Sequence, residues 1–300
     1  MLRQQFEDLF FERLPFIDHI IFMKYSAYPE EFSRFFNMNS SSRAFEDVTG
    51  VVGFDYLSTK HEGQAINYDA MLQGYSSRAT HVTYGLGFRT TMEALQDDID
   101  AIMRRGAMAL GASARYTPEL VAADVFNDGF TSTTGSPDGV SLFSNAHPLR
   151  GGGTASNILA SADLSVTSLQ SMVNNFAAQV NDRGQKLMIR PRRLIVPQAL
   201  SWTAEQLLGS EGLPGTADND INSLRMAGLG YDVWHYLTED QAWFMQADVS
   251  ETELNFWWRM PFSTDHDIDF DTGDGKSKIL GRFSVNWSDW RGVFGSSGSA

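Results

Sequence analysis

The chain has 300 residues, of which 42% are hydrophobic and 12% aromatic, and its formal net charge is −14. That length suits one large domain or two modest ones, and the apolar share excludes a chain disordered by composition. The acidic balance excludes a sequence-independent nucleic-acid grip, which needs a basic footprint to displace counterions. The absence of cysteine excludes disulfides and thiolate chemistry.

Residues 2–13 favour helix, because Leu2, Phe6, Leu9, Phe10 and then Leu14 share one face. Arg3, Glu7, Asp8, Glu12 and Arg13 interrupt that stretch, so it does not read as a signal peptide. The apolar run 20–23 is far shorter than the ~20 residues a membrane span takes, so no membrane partner is expected. The chain is expected in the cytoplasm when made. A second apolar cluster follows at Phe32, Phe35 and Phe36, and Pro15 and Pro29 are expected to break regular structure. Residues 1–44 therefore read as an arm with one or two short helices. A neighbouring copy or the chain's own core would cover its apolar faces.

Residues 46–58 carry Val48, Val51, Val52, Phe54 and Tyr56. Between 78 and 88, Val82, Tyr84, Leu86 and Phe88 alternate with Thr83, Gly85 and Gly87, a strand period. The two runs are expected to pair as a long hairpin. The polar segment 58–77, with Lys60, His61, Glu62 and Gly63, would form its wide tip. A lone hairpin is marginal in water, so it must lie on something. Lys60 itself reads as an ordinary exposed lysine.

Thr90 and Glu93 form a capping-box pattern, followed by a stripe of Met92, Leu95, Ile99 and Ile102. Asp97, Asp98 and Asp100 precede Arg104 and Arg105, an order that suits the helix dipole. The helix is expected over 91–114, a rod of roughly 35 Å. Thr117, Pro118 and Glu119 read as the start of a second, short helix. Residues 127–153 read as loop with a short strand at 140–143. A helix follows from near Ser165, built on Leu169, Met172, Val173, Phe176 and Val180. Then come a buried strand at 193–196, a helix at 202–208 ended by Gly209, and a loop at 212–220. Strands are expected at 231–236, 242–246, 254–260, 265–271 and 277–285, and a mobile tail at 295–300. The partial alternation of helices and strands reads as α+β.

No catalytic constellation stands out. The run Asp265, Asp267, Asp269, Asp271 and Asp274 fails the calcium-loop pattern, which would need glycine and glutamate where Phe270 and Lys276 stand. Alternation on a strand makes those acids a solvated face. The six histidines, His19, His61, His81, His147, His235 and His266, lack metal-ligand spacing. The P-loop, the dinucleotide fingerprint and the nucleophile elbow are absent, and the segment Gly111 to Arg115 only resembles an elbow. No catalytic, metal or cofactor-binding residue is assigned, so the chain does not read as an enzyme. Aromatic content instead suits contacts between copies, although Trp257, Trp258, Trp287 and Trp290 read mostly as core.

Several stretches taken together resemble a known family. They are Glu62 and Gly63 with Ile66, Asn67, Tyr68 and Asp69; Tyr84 to Phe88 leading into the capped helix; and Leu142 to Pro148 followed by Gly151, Gly152 and Gly153. Arg193 to Pro197 and Trp287 to Gly292 complete the set. The order and spacing resemble the major capsid (major head) proteins of tailed bacteriophages, of the Mu-like head-subunit type with the Hong Kong-type capsid fold. The resemblance implies an N-terminal arm at 1–44, an extended β-hairpin loop at 45–89 and a peripheral domain with a spine helix at 90–154. It further implies an axial domain at 155–250, with closing strands of the peripheral domain and the tail at 251–300.

The implied function is a structural subunit that self-assembles into hexamers and pentamers of an icosahedral shell around double-stranded DNA. Phe6, Phe10, Lys60, Glu62 and Arg78 are the residues expected at contacts between copies. The implied partners are further copies of the chain, a separate scaffolding protein, a portal, and packaged DNA held without sequence-specific binding. An acidic wall suits DNA that is enclosed without being gripped. The implied location is the virion, with assembly in the host cytoplasm. Two alternatives are an encapsulin-like nanocompartment shell of the same fold and a soluble hydrolase using an acid pair.

Overall fold

The computed structural model describes residues 3–210, 212, 221–222, 224 and 228–299, except the side chains of 3–9, 92 and 94–100. Helix α1 spans Arg3–Ala27 and α2 spans Met92–Asn127. α1 is one continuous helix through Pro15, not the short pieces expected. The proline costs a backbone bond. Burial offsets that cost: Phe10, Ile17, Ile20 and Ile21 pack with Met103, Ala107, Leu110 and Ala114 of α2. The two helices touch at Gly111, where a Cβ would lie 2.3 Å from the Ile21 carbonyl oxygen. The elbow-like segment at Gly111 is thus a helix crossing. The chain's own core covers that face of the arm, while Phe11, Phe16, Phe22 and Met23 remain exposed.

α2 likewise runs straight through Pro118, so no second helix starts there. Thr117 turns its hydroxyl back onto the Ser113 carbonyl, 2.8 Å away, instead of capping a new helix. Beyond the proline, Ala122, Ala123 and Phe126 are fully buried and hold the last turns in place. The Glu119 carboxylate is also buried and accepts the backbone N–H groups of Glu31 and Phe32 at 2.8 and 3.1 Å, fastening the 3-10 turn Phe32–Arg34. Burial pushes its carboxyl up, against those two hydrogen bonds.

Among the described residues most remaining strands form two four-stranded sheets, and the short strands β5 (His147–Pro148) and β6 (Thr154–Ala155) pair with each other. The first has the order β1 (Asn37–Ser40), β10 (Leu254–Ile268), β11 (Gly275–Trp287) and β4 (Val82–Thr90). The second has the order β12 (Val293–Ser296), β9 (Trp243–Ala247), β7 (Pro191–Val196) and β8 (Gly230–Val233). The strands expected at 254–260 and 265–271 are one strand, β10, whose register shifts between Trp258 and Ser263. Between the sheets sits an aromatic core in which Phe126 meets Phe36, Phe143, Trp234 and Phe244, ring centroids 5.1–6.1 Å apart. Trp287 and Trp290 are buried and Trp258 packs against the same core, as expected.

α3 (Val166–Ala177) carries a reciprocal cap between Ser165 and Ser168, and α4 (Ser201–Gly209) ends at the expected glycine. Both cover the second sheet. The loop expected at 212–220 lies outside the described residues, apart from Gly212, which bridges to Ile221. Residues 140–143 form no strand; they turn so that Leu142 and Phe143 enter the core. The expected mobile tail is instead β12 and its continuation. Ser296 is fully buried, and Ser299 donates its N–H and its hydroxyl to Asp163 at 3.0 and 2.6 Å.

Candidate assembly surface

The hairpin exists, with its first strand within the expected stretch and a different second strand. β2 (Phe45–Val52) pairs antiparallel with β3 (Leu72–Thr80), from Phe45 opposite Thr80 to Val52 opposite Leu72. The alternating run 82–90 is β4, which pairs with β11 in the main sheet. Its alternation identified a strand and left its partner open. Gly50 and Gly74 sit at a register shift, and a Cβ on Gly74 would lie 2.9 Å from the Gly50 carbonyl. Only glycine lets the two backbones approach so closely there.

The tip, residues 53–71, has no regular structure beyond a turn near Glu62 and Gly63, and it is apolar as well as exposed. Leu57 is 101% exposed, Tyr68 90% and Tyr56 72%, with Phe54, Ile66 and Met71 all above half. Exposed apolar residues scattered singly need no explanation, but a contiguous set on one projection marks a contact surface.

Small polar attachments hold the hairpin. At its base the Ser77 hydroxyl donates to the Trp287 carbonyl at 3.0 Å and accepts from the Asn286 amide at 3.1 Å. His81 Nδ1 meets the Ser284 hydroxyl at 2.9 Å. Arg78 forks onto both Asp47 oxygens at 2.6 and 2.8 Å while its guanidinium lies 4.2 Å from the Phe45 ring centre. That fork holds the Asp47 carboxyl below the usual carboxylate range. Along its side, Arg150 stacks 3.8 Å from the Tyr75 ring centre and donates to the Gly74 carbonyl. Arg183 reaches Asp69 at 2.9 Å and the Ala70 carbonyl at 2.7 Å, and Gln185 donates to Asp55. The backbone N–H of Asp55, then those of Ala70 and the Arg183 charge, hold Asp69 low. A cavity of about 320 Å³ separates the hairpin from Asp182, Trp290 and Arg291 beneath it.

The residues expected at contacts between copies do not come together. Lys60 and Glu62 are exposed at the tip, and Arg78 is exposed at the base, already paired to Asp47. Phe10 is only 1% exposed within the α1–α2 core, which leaves it no surface for a neighbour. The Phe6 side chain lies outside the described residues.

One buried arrangement was not foreseen. His147, fully buried, sits between Asp138 (Nδ1 to Oδ2, 2.6 Å) and the Asn157 side-chain oxygen (Nε2, 3.1 Å), stacked 4.4 Å from Trp290. Burial works to raise the Asp138 carboxyl, but His147, the Ser136 hydroxyl and the Val140 N–H outweigh it and hold it below the ordinary range. Asn157 donates to the carbonyls of Leu142 and Val293, tying this network to the last strand. The polar arms are engaged inside the fold, so the cluster acts as a buried bolt between the loop at 138–147 and the last strand. The segment Leu142 to Pro148 carried the signal; only the fold supplied Asp138 and Asn157 as partners.

Asp265 pairs with Lys278 at 2.8 Å, Asp269 pairs with Lys276, and Asp274 pairs with Arg89 at 3.2 Å, so the aspartate run is largely neutralised by facing strands. Among the described residues no group of three or more His, Asp or Glu is placed to hold a metal ion, and no helix is long and apolar enough to cross a membrane.

A family model described as phage capsid protein matches residues 74–295. The fold is similar to the capsid of Myoviridae phage XM1, with a TM-score of 0.54 at 9% identity over 90% of this chain and 94% of that one. It is similar to the mature capsid of bacteriophage PhiM1, with a TM-score of 0.59 at 9% identity over 90% and 87% of the two chains. It is also similar to a virus-like particle from Pyrococcus furiosus, with a TM-score of 0.55 at 9% identity over 95% and 99%. A comparison with curated proteins finds no match.

Proposed function

The chain belongs to the phage capsid protein family, and is thus a structural subunit of a capsid; from that premise we propose that its hairpin is the element that grips a neighbouring copy. The family match does not favour a cargo-enclosing compartment, and structural capsid subunits are not hydrolases. The finer reading is a Mu-like, Hong Kong-type subunit of a tailed phage. Copies would gather into hexamers and pentamers of an icosahedral shell. In that reading α2 is the spine helix, the sheet of β10 and β11 belongs to a peripheral domain, and the sheet of β7 and β9 to an axial one. Packaged double-stranded DNA, a separate scaffolding protein, a portal, and assembly in the host cytoplasm belong to the same proposal.

The observation that carries it is the tip at 53–71, which exposes Leu57, Tyr56 and Tyr68 with nothing among the described residues to cover them. Large interfaces of this kind are typical of obligate assemblies, and a projecting tip adds area that a rounded subunit lacks. Lys60 and Glu62 lie on that tip, where a neighbour would meet them. The test is to replace residues 54–71 with a short glycine linker and to examine the protein by sedimentation and electron microscopy. The expected result is a folded subunit that builds no shells; shells at the wild-type yield would sink the proposal.

A further inference from the structure

Resting on that reading, we propose that residues 188–190, flanked by the exposed cations Lys186 and Arg192, form an open strand edge that accepts an extended acidic segment of a second copy by strand addition. The stretch 183–193 is the most basic in the chain: it holds Arg183, Lys186, Arg190, Arg192 and Arg193 and no acidic residue. Arg183 and Arg193 are engaged internally, by Asp69 and by Asp232. Lys186, Arg190 and Arg192 are exposed and form no ion pair among the described residues. The Ser250 N–H and hydroxyl, and after them the Arg193 and Arg192 charges, hold the Asp248 carboxyl below the ordinary range. In a chain of net charge −14, three unpaired cations on one short stretch are a local reversal of sign.

The backbone supplies the second observation. Leu187 and Ile189 turn inward while Lys186, Met188, Arg190 and Arg192 turn out, the alternation of an extended strand. Met188 is 90% exposed. Yet β8 pairs with β7 only at Arg193–Val196, and β9 reaches β7 only as far as Pro191. Among the described residues, the N–H groups of Met188, Ile189 and Arg190 find no acceptor. Extended backbone with free donors is a template for an added strand, and flanking side chains choose which strand.

Free donors favour a polypeptide over a nucleic acid, because phosphates need only the side-chain cations. The cations select an acidic segment. A second copy provides one at high local concentration, because each copy is strongly acidic and copies are held together in the capsid.

The test is amide hydrogen exchange on free subunits and on assembled shells of the wild-type protein. The Met188 and Arg190 amides should exchange nearly unprotected in the free subunit and about 100-fold more slowly in shells, as expected for newly paired backbone. Arg190→Glu with Arg192→Glu should leave the melting midpoint unchanged and cut shell yield at least about tenfold. Arg190→Lys with Arg192→Lys should keep the yield. Shells whose Met188 and Arg190 amides exchange as in free subunits would overturn the inference alone. Full yield from the charge-reversed protein would do the same. So would intact shells that lose only co-purifying nucleic acid, since the stripe would then face a polyanion. A wild-type protein that forms neither shells nor rings would overturn this inference together with the assembly reading.

Discussion

The first helix and the hairpin look alike as sequence: each is an apolar projection with no partner in view. They end differently. α1 lays Phe10, Ile17, Ile20 and Ile21 onto α2, where Gly111 opens room for contact. The hairpin is pinned by Ser77, His81, Arg150 and Arg183 but keeps its tip residues in water. One face of α1 finds its groove on α2 within the same chain, while Phe11, Phe16, Phe22 and Met23 on the helix stay exposed. A two-stranded ribbon has two faces and two edges, so one body surface covers only part of it. The difference assigns the buried face of α1 to stability and the hairpin tip to association.

The largest effect expected on that contrast is at the helix crossing. Gly111→Val should destabilise by about 3 kcal/mol, because its side chain would meet the Ile21 backbone, which cannot move aside as a flexible side chain could. Urea denaturation of the subunit reads it. Ile21→Ala, at a fully buried position, should cost a similar amount, about 3 kcal/mol. If both variants melt like the wild type, α1 is not part of the stable core. On the hairpin, Leu57→Ser with Tyr68→Ser should leave the melting midpoint in place and abolish shells, since both side chains are exposed. A drop in midpoint would mean that the tip belongs to the fold, and the contrast would collapse.

The buried bolt predicts a pH effect between these extremes. Asp138 stays ionised in the folded chain to lower pH than in the unfolded chain. Its contribution is fully present above the unfolded carboxylate value, about 3.9, and is lost as pH falls through the lower folded value. Asp138→Asn should therefore reduce stability at neutral pH and flatten its fall on the acid side. Melting curves at several pH values check this, and an unchanged acid limb would contradict the assignment. The smallest effect belongs to Arg78→Lys, which loses the two-pronged contact with Asp47 at an exposed site. Amides of β2 and β3 should then exchange faster while the global melting midpoint stays put.

Residues in local register carried much of this molecule into view before folding. The helix start near Ser165, the Leu169–Met172–Phe176 stripe, Gly209 at the end of α4, the β7 core and the start of α2 are set by near neighbours along the chain. The ordered set of motifs pointed to the capsid family for the same reason, since each motif is contiguous.

What tertiary structure alone decided are matters of partnership. Pro15 and Pro118 sit inside helices because distant residues bury both sides of each break. β4 left the hairpin for β11, and the polar stretch 72–80 took its place, because the strand period fixes a face but never names a neighbour. The small tail became β12 because β9 offered it an open edge. His147 met Asp138 and Asn157 because a buried imidazole must find hydrogen-bond partners, and the loop closed on those in reach. Local propensity is an energy between near neighbours along the chain. Pairing energy depends on what the rest of the chain brings alongside, and here only the folded structure holds that information.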